Sequence, residues 1–577
     1  MRLLSSGWAG APRPFPRRFV TFMIVLVALL AIFPLYSHLK RAAAPIPPGV
    51  YVGGLALSDM KDTEQIREHL LGAYSGPIGV NFGDKKLALR PEDVDFQLDL
   101  DHMLAEAQQY VDGPVFVEIA ARYLVGVQQR RHDVPTAYTI DVTKLRTWLE
   151  GVAAEYNTAP QRARVVGPTT VNDTAVVDEG AVDEGAVDEG AVDEGAVDEG
   201  AADASATPAG PDPTLDEWAW VVGSPGYTLD IDASIPTIVE ALTRNDGRVA
   251  NLVHIETPPP DPSMDDLARV LNTQTMQFPG FAAIYVHDLM AAEGASASEA
   301  SVDSDVSFSG MSTLKIGIAT AVMRKLANGV AADDEGSQEI GLLLDYALGE
   351  SNNNAANQLL AFIGDGDVTA GTRVFTEMMR TLGFTSTYMQ SGYDFQTQLP
   401  QIATPGNQQT AWETDPDSNL QSTPREMGRI LSDIYLCTQN EGPLIATYPG
   451  AITPAECWQI LFYMTHDQFR EMVWGGLPNR DDQWIVHKHG FAYESHSDVA
   501  LIWGPKGPYV MSIFLYRQGW MDWATSNSTM QKISRIAWTF FEFQKAQEKE
   551  PRDPPPAPTL EPPPGYREIY IAPEAAP

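Results

Sequence analysis

The chain has 577 residues, 44% of them hydrophobic, and a formal net charge of −37 at pH 7. That apolar content supports a buried core, and the length suits about two or three domains. The acidity argues against nucleic-acid binding, because a phosphate backbone requires a basic face.

The amino terminus sets the expected compartment. Phe19–Tyr36 is an apolar run interrupted by Thr21 and Pro34. As a helix it spans roughly 27 Å, close to the hydrocarbon thickness of a bilayer. Arg2, Arg13, Arg17 and Arg18 precede it, and Lys40 and Arg41 follow. The excess on the amino side predicts a cytoplasmic basic segment at 1–18, a single-pass signal-anchor at 19–39 in the lipid bilayer of the cell membrane, and an extracytoplasmic remainder. The rival is a cleaved signal peptide ending near Ala42-Ala-Ala44.

Ala44–Gly49 is a proline-rich exit from that segment. An α+β module is expected over 45–257. Pro77–Phe82 and Lys86–Leu89 read as strands around a Gly83-Asp84 turn. Asp99–Tyr110 and Val142–Tyr156 read as amphipathic helices, Pro225–Asp232 and Ala233–Leu242 as a strand and a helix, and Leu252–Glu256 as a closing strand. Five copies of V-D-E-G-A fill Val177–Ala201 and carry ten carboxylates. Frequent glycine and dense like charge oppose helix and strand, so 171–213 is expected to be a disordered insertion without an ordered calcium loop.

Pro258–Pro262 marks a boundary, and a second domain is expected over 264–547. Beyond it, 548–577 is proline-rich and reads as a disordered tail. Cys437 and Cys457 are either one disulfide or two buried thiols. With no C-x-x-C pair, and with no third ligand beside His487 and His489, neither a metal nor a cofactor is expected.

Three motifs in the second domain carry chemistry: Ser312-Thr-Leu-Lys315, Ser351-Asn-Asn353 and Lys488-His-Gly490. Ser312 opens the helical pattern Met311–Leu326, where unpaired N–H groups favour an oxyanion. Lys315, three residues on, shares its face. Pressed against apolar neighbours and a second lysine, that amine loses affinity for its proton and can act as a base. Ser351 stands as the proton relay to a leaving nitrogen, and Asn353 as the residue that holds a substrate amide. Trp484–Phe491 is a strand pattern, with Asp498–Trp503 and Tyr509–Tyr516 as the next strands and Gly280–Leu289 as another. Lys488 supplies charge for a substrate carboxylate and depresses the nearby base. Gly490 permits close backbone approach. The N–H groups of Ser312 and Phe491 form the expected oxyanion hole.

These motifs resemble those of the class A β-lactamase domain, a relative of penicillin-binding proteins, over about 265–545. Thr423-Pro-Arg-Glu-Met427 sits where that family has its T-P-R-x-M helix start, and Pro454–Gly490 follows its helix-then-strand order. The resemblance implies an α+β fold, an antiparallel sheet flanked by helices, plus an all-helical lobe holding Ser351. It implies a β-lactam or a peptidoglycan stem peptide as substrate. Four features depart from the pattern. No E-x-x-L-N loop is recognisable: Glu413 is the only glutamate between Gly392 and Pro424, and Asp394, Asp415 and Asp417 lie outside any such motif. That stretch is long, and the segment from Lys315 to Ser351 is short. His489 replaces the usual hydroxyl, its imidazole N–H standing in as the donor.

Gly49-Val-Tyr-Val-Gly-Gly-Leu55 and Gly226–Asp232 resemble the putative peptidoglycan-binding module of vancomycin-resistance W-type proteins. Together these readings imply a membrane-anchored serine hydrolase. The alternatives are a D-Ala-D-Ala carboxypeptidase with slow deacylation and a non-catalytic cell-wall receptor.

Overall fold

A computed structural model of the chain describes residues 17–42, 45–46, 49–110, 131–168, 213–291, 298–409, 411–467, 469–548, 553–564 and 566. Apart from Pro213, the acidic insertion expected at 171–213 lies outside the described residues, as do residues 1–16 of the basic segment. The apolar run falls within one 26-residue helix, Arg17–Ala42, whose side chains are described only in part. Among the described residues no helix is long and apolar enough to cross a membrane.

The chain divides into two compact units, Met1–Gln161 with Pro225–Pro258, and Arg162–Ser224 with Pro259–Pro577. The expected module at 45–257 therefore loses its middle to the second unit. The reason is packing: Trp220 is buried there, donates its indole N–H to the Ile536 carbonyl at 3.1 Å, meets Phe540 edge to face and stacks on Phe543.

In the first unit four helices begin on aspartates. Asp62, Asp99, Asp141 and Asp230 each accept a backbone N–H from the first turn, satisfying donors that a helix start leaves orphaned. Ile78–Phe82 pairs antiparallel with Lys85–Leu89 and parallel with Val249–Asn251. Ile78, Val80 and Phe82 alternate inward and meet Leu145, Leu149, Ile238 and Leu242 from helices Val142–Tyr156 and Ile231–Thr243.

The second unit runs α1 (Met264–Thr275), β1 (Phe281–Asp288), β2 (Glu299–Val302), α2 (Lys315–Leu326), α3 (Glu335–Leu348), α4 (Asn353–Ile363), α5 (Val368–Thr381) and α6 (Pro424–Thr438). It continues through α7 (Pro454–Met464), β3 (Ile485–Phe491), β4 (Ser495–Gly504), β5 (Gly507–Tyr516) and α8 (Trp523–Gln547). The strands form one antiparallel sheet in the order β2-β1-β5-β4-β3.

Both faces of this sheet are buried. Val510 and Phe514 of β5 face a core shared with α2, α6 and α7, whereas Met511, Ile513 and Leu515 face a second core built on α1 and α8. The two-residue period of a strand thus feeds two cores from one run of apolar residues. Helices α3, α4 and α5 form the helical lobe. There α4 and α5 approach so closely that a Cβ on Gly371 would lie 1.9 Å from the Leu360 carbonyl oxygen. The Cys437 and Cys457 sulfurs are bonded, joining α6 to α7.

The tail at 548–577 differs from expectation wherever it is described. Prolines carry no N–H, which leaves their carbonyls open to other donors. The indoles of Trp484 and Trp503, packed edge to face at 5.4 Å, donate to the carbonyls of Pro558 and Pro555 at 2.8 and 2.6 Å. Leu560 and Tyr566 pack on the core, and the Tyr566 hydroxyl donates to Asp345 Oδ2 at 3.1 Å. Each such bond contributes about 1 kcal/mol, so truncation after Glu548 is expected to lower Tm by about 4 °C or more, read by calorimetry. An unchanged Tm would show that the tail contributes no stabilising contact.

Candidate active site

Ser312 lies in a 3-10 turn, Met311–Leu314, that runs directly into α2. Met311 holds this turn with φ at +49°, a conformation costly for a side chain of its kind. The Tyr393 hydroxyl donates to the Met311 carbonyl at 3.0 Å and pins the turn. On the other side β3 passes close. A Cβ on Gly490 would fall 2.9 Å from Met311 Cβ and 3.1 Å from the Ser312 nitrogen, so the approach requires glycine. Phe491 ends β3 opposite His496, with its side chain 55% exposed.

Lys315 is the first residue of α2 and is 1% exposed. Its Nζ lies 2.9 Å from Ser312 Oγ. It donates to Asn353 Oδ1 at 2.9 Å and to the Ser351 carbonyl, and lies 3.3 Å from Ser351 Oγ. A neutral amine has two N–H groups and one lone pair. With the two donors committed to Asn353 and Ser351, the lone pair is left for the Ser312 hydroxyl proton. Burial, and then the charge of Lys488, push the Lys315 amine down to about 7. The first two motifs therefore meet on one nitrogen. Ser351 itself has φ at +60°, which turns its carbonyl and hydroxyl toward that amine.

The loop after α5 supplies groups that no motif singled out. Asn353 Nδ2 donates to Asp394 Oδ1 at 3.0 Å. Asp394 is exposed, sits at φ +61°, and is near enough to act electrostatically on Lys315. Tyr393, beside it, is buried with its ring 4.7 Å from Lys315 Nζ. Asn357 of α4 grips this loop from both sides, accepting from the Tyr393 N–H at 2.8 Å and donating to its carbonyl at 3.0 Å. Of the carboxylates between Gly392 and Pro424, Asp394 is the one bonded to a motif residue. Tyr393 and Asn357 lie outside the three motifs and carry no separate sequence signal.

The third motif differs from expectation in one respect. Lys488 is fully buried and its Nζ donates to Asp467 Oδ2 at 2.9 Å, so the expected carboxylate anchor already holds a carboxylate of this chain. His489 bonds the same group, its Nδ1 2.8 Å from Asp467 Oδ2 and its backbone N–H donating at 3.3 Å. Burial opposes charge on Asp467, yet Lys488 and the neighbouring histidines hold it well below the usual carboxylate range. Burial, and then Lys488, push His489 down, and its Nδ1 faces the Asp467 carboxylate, which can only accept, so Nδ1 carries the proton given to it. His487, on the same strand, bonds Asp498 at 2.9 Å. Among the described residues no group of three His, Cys, Asp or Glu is placed to hold a metal ion.

Residues 332–541 match the family model described as the Beta-lactamase enzyme family. Ser312 and Lys315 precede the matched span. A beta lactamase from Xanthomonas campestris pv. campestris is 19% identical, with 48% of this chain and 98% of that chain covered and a TM-score of 0.35. A beta-lactamase from Desulfarculus baarsii is 20% identical over 48% and 97%, with a TM-score of 0.36. One from Streptosporangium roseum is 20% identical over 47% and 96%, with a TM-score of 0.35. No curated protein matches. Residues 332–541, which hold Ser351, Asn353 and Lys488, are the part of the chain that is similar to the Beta-lactamase enzyme family.

Proposed function

We propose that the second unit is a serine hydrolase that forms an acyl-enzyme through Ser312 with β-lactams or related cell-wall peptide amides. One observation carries this reading: a buried amine bonded at once to Ser312, Ser351 and Asn353. Ser312 Oγ adds to the carbonyl carbon as its proton passes to Lys315 Nζ. The carbon–nitrogen bond then breaks. Ser351 Oγ delivers a proton to the leaving nitrogen and recovers one from Lys315, 3.3 Å away. Backbone N–H groups of Ser312 and Phe491 stabilise the oxyanion. Lys488 acts here through its charge, which lowers the proton affinity of Lys315.

Release of the acyl group requires a base for water. Asp394 is the candidate: it is solvent-exposed and hydrogen-bonded to Asn353. Water gives one proton to the carboxylate as its oxygen adds to the ester carbon; the bond to Ser312 Oγ then breaks, and the proton held by Asp394 returns through water to Ser312. The same proposal puts the enzyme outside the cytoplasm, anchored through the apolar run Phe19–Tyr36, with the first unit holding it at the cell wall. The basic residues before the apolar run and the motifs Gly49–Leu55 and Gly226–Asp232 support that part.

Intact-mass spectrometry after prolonged exposure to saturating penicillin is expected to find one adduct on the wild type and none on Ser312→Ala. An adduct that survives this substitution places the nucleophile elsewhere. Lys315→Ala is expected to slow adduct formation at least about 100-fold. Asp394→Asn is expected to change formation by less than about tenfold while lengthening the adduct's lifetime by about 100-fold or more. An unchanged lifetime assigns deacylation to another group, and a wild-type adduct that never clears favours the carboxypeptidase-like alternative.

A further inference from the structure

The group that a substrate meets beside Gly490 follows from the charges around β3. Lys488 Nζ and Asp467 form a contact pair, and neither side chain is exposed to solvent. Asp498 lies directly across the ladder from His489, is itself fully buried, and bonds His487. Asp498 is thus matched by His487, and Asp467 by Lys488 with His489 as a second donor; the Lys488–Asp467 pair sums to zero. A substrate carboxylate brought to this edge gains attraction from Lys488 and loses a similar amount to repulsion from Asp467. The ammonium is also fully covered, so a substrate anion makes no direct hydrogen bond with it.

The polar side chain that reaches the surface at this point is His489, 10% exposed. Phe469 packs on its ring at 4.7 Å and fixes its plane. Lys488 already balances the charge of Asp467, so the ring beside that pair is the neutral imidazole: Nδ1–H is given to Asp467, and the other ring nitrogen, Nε2, carries a lone pair. Among the described residues, the ring's hydrogen-bond partners are all at Nδ1. A lone pair pairs with an N–H and repels a carboxylate oxygen.

We infer that this subsite selects acyl donors that carry a neutral hydrogen-bond donor, a carboxamide, where a carboxylate would otherwise stand. The inference rests on the acyl-enzyme reading above and names the substrate class of that same site. Asp467 is the residue that sets the preference, acting through Lys488 and His489.

One β-lactam prepared both as the free carboxylate and as its primary amide tests this on the full-length chain. The amide is expected to acylate Ser312 at least about tenfold faster, measured as the second-order rate of adduct formation by intact mass. Equal rates, or faster reaction of the carboxylate, overturn the inference and leave the acyl-enzyme reading standing. No adduct with either form overturns both. Asp467→Asn frees the charge of Lys488 and is expected to shift the ratio of rates toward the carboxylate by about tenfold. An unchanged ratio in this variant, with a wild-type circular dichroism spectrum, also overturns the inference. The wild-type comparison decides alone if the variant does not fold.

Discussion

A primary amine buried among three chain segments is the constraint on which the site depends. In water the Lys315 amine would stay protonated far above neutrality. Here burial and the nearby Lys488 charge favour the neutral form, and the geometry uses all three of its valences beyond carbon. The surrounding fold serves that nitrogen. The helix start presents Ser312 and Lys315 on one face. The positive φ of Ser351 turns its backbone inward. The bare Cα of Gly490 lets β3 close on the turn. Each of these conformations is costly in isolation, and the double-sided packing of the sheet offsets the cost.

Charge compensation is the second theme. Asp394 and Asp467 reach the two sides of the site from loops, one bonded to Asn353 and the other to Lys488 and His489. The first is exposed and free to take part in proton transfer. The second is fully enclosed and sets the local potential. Two carboxylates of the same chemistry thus stand in different environments, set by burial and by their bonded partners.

Much of this was legible in the chain. Motif spacing brought Ser312, Lys315, Ser351 and Lys488 into view because each sits on a helix start or strand whose local pattern is strong. The strands of the main sheet read clearly for the same reason. Asp394 and Asp467 did not, because their positions depend on loops held from a distance: Asn357 grips the loop before Asp394, and nothing adjacent to Asp467 signals its partners. Helices α1, α5 and α8 also escaped notice. The first two turns of helix α8 contain Thr525-Ser-Asn-Ser-Thr529, residues of modest helix propensity, and the helix owes its stability to the packing of Ile533, Phe540 and Phe541. The tail misled by composition. Its prolines suggest an unpacked strand, while the tryptophans that hold it lie on β4 and just before β3.

The most direct test of the central claim is the ionisation of Lys315 itself. Protein labelled with carbon-13 at lysine Cε, titrated by NMR alongside Lys315→Ala, isolates one resonance. Because the folded site disfavours the ammonium, the amine is neutral above its midpoint and charged below it. The account expects that resonance to titrate at about 7. A midpoint near the ordinary 10.5 would contradict it, since Lys315 would then be a cation at neutral pH with no lone pair to offer Ser312.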